Sequence, residues 1–164
     1  MMTEQQQQSV FDTWLRDYRA LLYKVIRSYA FTQEDQEDLF QEITVQMWRS
    51  VPRFRGDSAV STWLYRIALN TAMKWSQKER KHGGHQTLTH EQHLIEMHQT
   101  KDDRLDWLYE QIAKLDEVDR SLTLLMLDGF SYKEMAGIVG ISETYVGVKI
   151  NRIKKHLIEK SNAY

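Results

Sequence analysis

Residues 128–157 read DGFSYKEMAGIVGISETYVGVKINRIKKHL, and nearly every position has a local structural reason. Ser131 and Glu134 stand three apart at the start of an apolar run, the spacing at which a serine hydroxyl and a glutamate carboxylate satisfy each other's early helix amides. Met135, Ala136, Ile138 and Val139 supply the inner face of a short helix, and Gly140 stops it in the left-handed conformation glycine tolerates. Ile141 fills the turn, and Ser142 caps a last helix whose Val146, Ile150, Ile153 and Leu157 recur at three- and four-residue steps. Upstream, Leu105, Leu108, Ile112 and Leu115 mark one amphipathic helix. Asp116 to Asp128 mark another, with Val118, Leu122, Leu125 and Met126 inward and Gly129 at its end. The pattern is helix, tight turn, helix. That arrangement lays its second helix in the DNA major groove. Lys149, Arg152, Lys154 and Lys155 would attract phosphates, and the amide of Asn151 could read a base edge. A helical hairpin with a solvated basic face is the plainer alternative.

Upstream of this module lies HGGHQTLTHEQHLIEMHQTKDD, with paired glycines, many polar residues and few apolar ones. It reads as a flexible linker over 82–104. Residues 10–81 read as a second helical module, after a loose end at 1–9. Phe11, Trp14, Leu15, Tyr18, Leu22, Val25, Ile26 and Tyr29 form one stripe of a helix ending near Ala30. Thr32 begins another, with Leu39, Phe40, Ile43, Met47 and Trp48 inward. Val51-Pro52 ends it, because proline lacks an amide and disfavours helix in the residue before it. PRFRGDSAV is a loop, and Ser61 or Thr62 caps a third helix, running to about Arg80, with Trp63, Leu64, Ile67, Ala68 and Thr71 inward. The expected fold is all-α, two small helical domains at 10–81 and 105–164.

Composition narrows the classes. The 164 residues contain no cysteine and one proline, 41% are hydrophobic, and the formal charge is -1. Without thiols the chain builds neither a disulfide scaffold nor a thiolate zinc site. No basic start precedes an apolar stretch, and no run of about 18 uncharged apolar residues occurs, so the expectation is a cytoplasmic protein without membrane insertion. The near-neutral sum hides strong segregation: Arg49–Lys81 carries +6, His85–Asp119 carries −6, Lys149–Lys160 carries +4, and Glu34–Glu42 holds five acids and no base. Blocks of this kind suit a modular binder. In the first basic block, Arg53, Phe54, Arg55, Trp63, Tyr65, Arg66, Lys74 and Trp75 interleave cations with flat rings, the mixture that single-stranded nucleic acid needs. Helical spacing also allows Trp63 and Tyr65 to be core.

FRGDSAVSTWLYRIALN resembles the signature of conserved region 2 in sigma factors of the extracytoplasmic function group. DQEDLFQEITVQMWR is similar to the polymerase-binding helix that precedes it, and residues 128–157 are similar to region 4. The resemblance covers nearly the whole chain in the family's order. It implies a factor that binds core RNA polymerase and directs promoter-specific initiation, with an anti-sigma protein as a further partner, no cofactor and no catalysis of its own. Asp38, Gln41, Glu42 and Arg49 would meet the polymerase. Phe54, Arg55, Ser58 and Asn70 would hold extruded bases of the minus-ten non-template strand, while Arg66, Lys74, Lys78, Arg80 and Lys81 track its phosphates. Ser142, Thr144, Tyr145, Lys149, Asn151, Arg152, Lys154 and Lys155 would meet the minus-thirty-five duplex. There the chain departs from the family, which usually has a basic residue and a serine where Gly147 and Val148 stand.

Two other readings compete. An ordinary helix-turn-helix repressor or activator, with a sensing N-terminal half, explains the C-terminal module but leaves the acidic helix and the aromatic-basic stretch without a role. A metalloprotein would use His85, His90, His93 and His98, with His82 nearby, although a polar linker that happens to be His-rich is the simpler account. No paired catalytic arrangement, HExxH spacing or phosphate-binding glycine loop is present in the sequence.

Overall fold

The computed structural model describes residues 1–81 and 102–163. Among these residues the chain forms eight α-helices and one short 3-10 turn, divided between two compact units within Met1–Gln99 and Thr100–Tyr164. The His-rich stretch, with His85, His90, His93 and His98, lies outside the described residues.

In the first unit, α1 (Glu4–Asp17) and α2 (Arg19–Tyr29) meet at Tyr18. The single helix expected there is therefore two. Its apolar stripe survives because only one residue separates the halves, yet α1 packs on α3 and α2 chiefly on α4. Nor are residues 4–9 loose. Thr3 and Gln6 form a capping box, the Gln7 side-chain amide donates to the Trp48 carbonyl over 2.7 Å, and Phe11 meets Trp48 edge to face at 5.6 Å. Anchoring by α3 offsets the weak intrinsic order of a glutamine run.

Helix α3 (Gln33–Ser50) starts at Thr32, whose hydroxyl accepts from the Asp35 amide, and ends in the 3-10 turn Val51–Arg53 as the proline requires. Helix α4 (Val60–Lys81) begins ahead of both expected caps; Ser61 and Thr62 lie inside it, and the Ala59 carbonyl accepts from the Trp63 amide. Leu22, Ile26, Leu39, Ile43, Leu64 and Leu69 are fully buried between α2, α3 and α4. Tyr65 and Trp75 join them at 1% exposure, so these two aromatics of the basic block are core and not base platforms. Gln36 is buried as well; its amide donates to the Ala30 carbonyl at the end of α2.

The second unit packs α5 (Asp103–Ala113), α6 (Glu117–Leu127), α7 (Tyr132–Val139) and α8 (Glu143–Asn162). Local signals set its boundaries. Asp116 caps α6, the Ser131–Glu134 capping box opens α7, Gly140 ends it at φ +83°, and Ser142 accepts from the Tyr145 amide to start α8. Ile112, Leu122, Leu125, Met135, Val146 and Ile150 form the core.

Candidate nucleic-acid and partner interfaces

Antiparallel packing of α3 and α4 leaves an open groove of about 470 Å³ whose walls include Glu42, Arg53, Trp63, Arg66, Asn70 and Lys74. Arg66, Asn70 and Lys74 recur at four-residue steps, so one face of α4 presents all three. The groove thus joins a residue expected to touch the polymerase, Glu42, to three expected to touch DNA. Gln46 also lines it. Sequence reading missed Gln46, although its position one turn beyond Glu42 was a usable signal.

The other expected polymerase contacts on α3 stay at the surface: Asp38, Gln41 and Arg49 are exposed. Asp38 has a second attachment that its sequence does not reveal, since its Oδ2 accepts from the indole N–H of buried Trp75 at 2.8 Å. On the loop, Arg55 and Ser58 are exposed and Gly56 takes φ +79°. Phe54 is half-buried. Its ring meets Trp14 at 5.4 Å and Trp63 at 5.5 Å, both edge to face, and the Trp63 indole N–H donates to Ser50 at 3.3 Å. This aromatic train ties the loop to α1, α3 and α4. Lys78, Arg80 and Lys81 are exposed in the last turn of α4, where cations also suit the helix dipole.

On α8, Thr144, Tyr145, Asn151, Arg152, Lys154 and Lys155 are exposed. Ser142 spends its hydroxyl on the helix cap. Lys149 does not share the open face. Its amine donates to Asp119 Oδ1 of α6 at 2.9 Å and its side chain is only 15% exposed. That hydrogen bond to Asp119, aided by the negative charges of Asp119 and Asp116 and opposed by partial burial, holds the Lys149 pKa above its ordinary value. Gly147 carries the edge of the Tyr132 ring, which would lie 3.5 Å from a Cβ placed there.

These are two helical units, one with a basic groove beside an acidic helix and the other a helix-turn-helix, which defines a class: a two-domain all-α protein built like a DNA-binding factor. Residues 11–82 match the family model of Sigma-70 region 2, and residues 105–157 match that of Sigma-70 region 4. The extracytoplasmic function (ECF) RNA polymerase sigma-E factor of Haemophilus influenzae is 25% identical over 171 aligned positions, covering 96% of this chain and 90% of its own. RNA polymerase sigma factor YlaC of Bacillus subtilis is 27% identical over 156, covering 87% and 89%. The sigma factor RpoE of Bartonella quintana, solved with the anti-sigma factor NepR, superposes with a TM-score of 0.69 at 22% identity, covering 90% of this chain and 93% of that one. The chain belongs to the RNA polymerase sigma factors of the extracytoplasmic function group. Members of this family direct transcription initiation at promoters through RNA polymerase and are initiation factors without a catalytic step. Among the described residues no helix is long and apolar enough to cross a membrane.

Proposed function

We propose that this sigma factor divides promoter recognition between its two units, the domain at 10–81 taking the minus-ten element and the domain at 105–164 the minus-thirty-five element, with 82–104 as the connector. The observation that carries the proposal is the convergence of Arg66, Asn70 and Lys74 with Glu42 on one groove. Asn70 offers both a donor and an acceptor to an unstacked base, and Arg66 and Lys74 offer charge to the phosphates beside it. Arg55 and Ser58 extend that track along the loop, and Lys78, Arg80 and Lys81 extend it along α4. Opening the duplex then needs no nucleotide hydrolysis, because binding of flipped bases and polymerase contacts offset the unpairing. The acidic face with exposed Asp38 and Gln41 and half-buried Glu42, together with Arg49, docks on core polymerase, and an anti-sigma protein competes for it, as the solved Bartonella complex suggests by analogy. The work is cytoplasmic, where the polymerase is.

Helix α8 enters the major groove of the upstream element, with Arg152, Lys154 and Lys155 on phosphates and Asn151, Thr144 and Tyr145 near base edges. A free chain of near-zero net charge binds DNA weakly; specificity emerges when polymerase fixes both units at the right separation. The test is reconstitution with core polymerase, run-off transcription and mapping of the start sites. Asn70→Ala should leave polymerase binding intact and reduce promoter opening, read by permanganate reactivity of unpaired thymines. Tight duplex binding by the chain alone, with no complex formed with core enzyme, would favour the repressor reading and sink this one.

A further inference from the structure

We infer that Val148 contacts the methyl group of a thymine in the upstream duplex and so sets the sequence preference of α8; this rests on the major-groove reading of that helix. Val146, Ile150 and Ile153 define the buried side of α8. Helical spacing places Thr144, Val148, Asn151 and Lys155 on the opposite side, with Arg152 beside them. Val148 is therefore central on the outward face, and it is 41% exposed. A β-branched apolar residue there gains little from burial and is a weak helix former. Its neighbours do not cover it: Gly147 has no side chain, and the Tyr132 ring that meets Gly147 bounds the face on one flank.

The chemistry of the surroundings selects the occupant. Exposed Arg152 and Lys155 make the face cationic, which suits phosphate-rimmed DNA better than an apolar protein surface. Within the major groove, the apolar feature that a base pair presents is the thymine methyl group. Lys149, adjacent in sequence, cannot take over as a guanine reader while its amine is held by Asp119 at 2.9 Å. The centre of the face thus carries a methyl-sized apolar probe between an amide, Asn151, and two phosphate-seeking cations.

The test uses holoenzyme reconstituted from the full chain and core polymerase. Duplexes selected from a pool randomised in the upstream element supply the probe, and each thymine is then replaced singly by deoxyuridine, which lacks only the methyl group. The wild-type holoenzyme should lose roughly fourfold in affinity at one thymine, the weight of one buried methyl group. Val148→Ala, which favours the helix and leaves the core untouched, should bind that site with no deoxyuridine effect and keep every other preference. The assignment is overturned if no thymine is sensitive, or if wild type and Val148→Ala give the same deoxyuridine profile. Failure to select any upstream sequence at all, despite normal polymerase binding, would instead remove the major-groove reading of α8 and this assignment with it.

Discussion

The indole N–H of Trp75 donates to the carboxylate of Asp38 over 2.8 Å, joining two residues 37 positions apart and pinning the C-terminal half of α4 to α3. Asp38 therefore serves the fold with one oxygen while the residue remains exposed to a partner. Asp38→Ala should cost about 1–3 kcal/mol in urea unfolding, because it strands the N–H of a buried ring. Asp38→Asn keeps an acceptor and should recover most of that. If the asparagine variant is stable yet binds core polymerase less tightly, the charge itself is used for docking.

Lys149 predicts an alkaline limit. Its pKa is raised in the folded chain by the hydrogen bond to Asp119. A cation whose folded pKa exceeds its unfolded one contributes stability that is complete below the unfolded value, about 10.4 for lysine, and is lost as pH rises through the folded value. Thermal melts should show a decline above about pH 10 that Lys149→Met lacks, amounting to about 1 kcal/mol or less for a partly screened pair. An identical alkaline profile in both proteins would contradict the assignment.

Gly147→Ala should stabilise the chain. A Cβ at this position reaches Tyr132 Cε2 at 3.5 Å, an ordinary contact. The gain in helix propensity, roughly 0.5–1 kcal/mol, then outweighs any crowding. The check is a higher urea midpoint with an unchanged slope.

Phe54 tests whether the loop is held by aromatic packing. Its ring engages both Trp14 and Trp63. Because the ring is half-buried, Phe54→Ala should cost less than a core phenylalanine, roughly 1–3 kcal/mol, and should alter tryptophan fluorescence. Phe54→Leu should retain part of the loss. A stable Phe54→Ala protein that fails only in promoter opening would show that the ring reads a base.

Glu134 gives the opposite pH sign. Its carboxyl is held below the ordinary value by the Ser131 amide first and the Ser131 hydroxyl second. That contribution to the start of α7 is present above the ordinary carboxylate pKa and fades as pH falls through the folded one. Ser131→Ala should lose about 1 kcal/mol at neutral pH by removing the cap, measurable as a lower melting temperature.

Helix starts and stops were legible where they depend on neighbours a few positions apart. Thr32, Asp116, Ser131 and Ser142 cap helices through bonds to amides three positions on, and Gly140 ends α7 through its own backbone freedom. The same short-range logic exposed the helix-turn-helix, the apolar stripes and the segregation of charge. It could not reveal that the first stripe breaks at Tyr18, since no glycine or proline marks the place and only packing separates the halves: both meet α3, while α2 packs chiefly on α4. Nor could it tell that Trp75 is core, that Phe54 is clamped between tryptophans, or that Lys149 faces its own domain across 30 positions. Those outcomes belong to contacts closed by the whole fold: periodicity says which side of a helix is apolar, while the identity of what lies against each side chain is decided only when the helices pack.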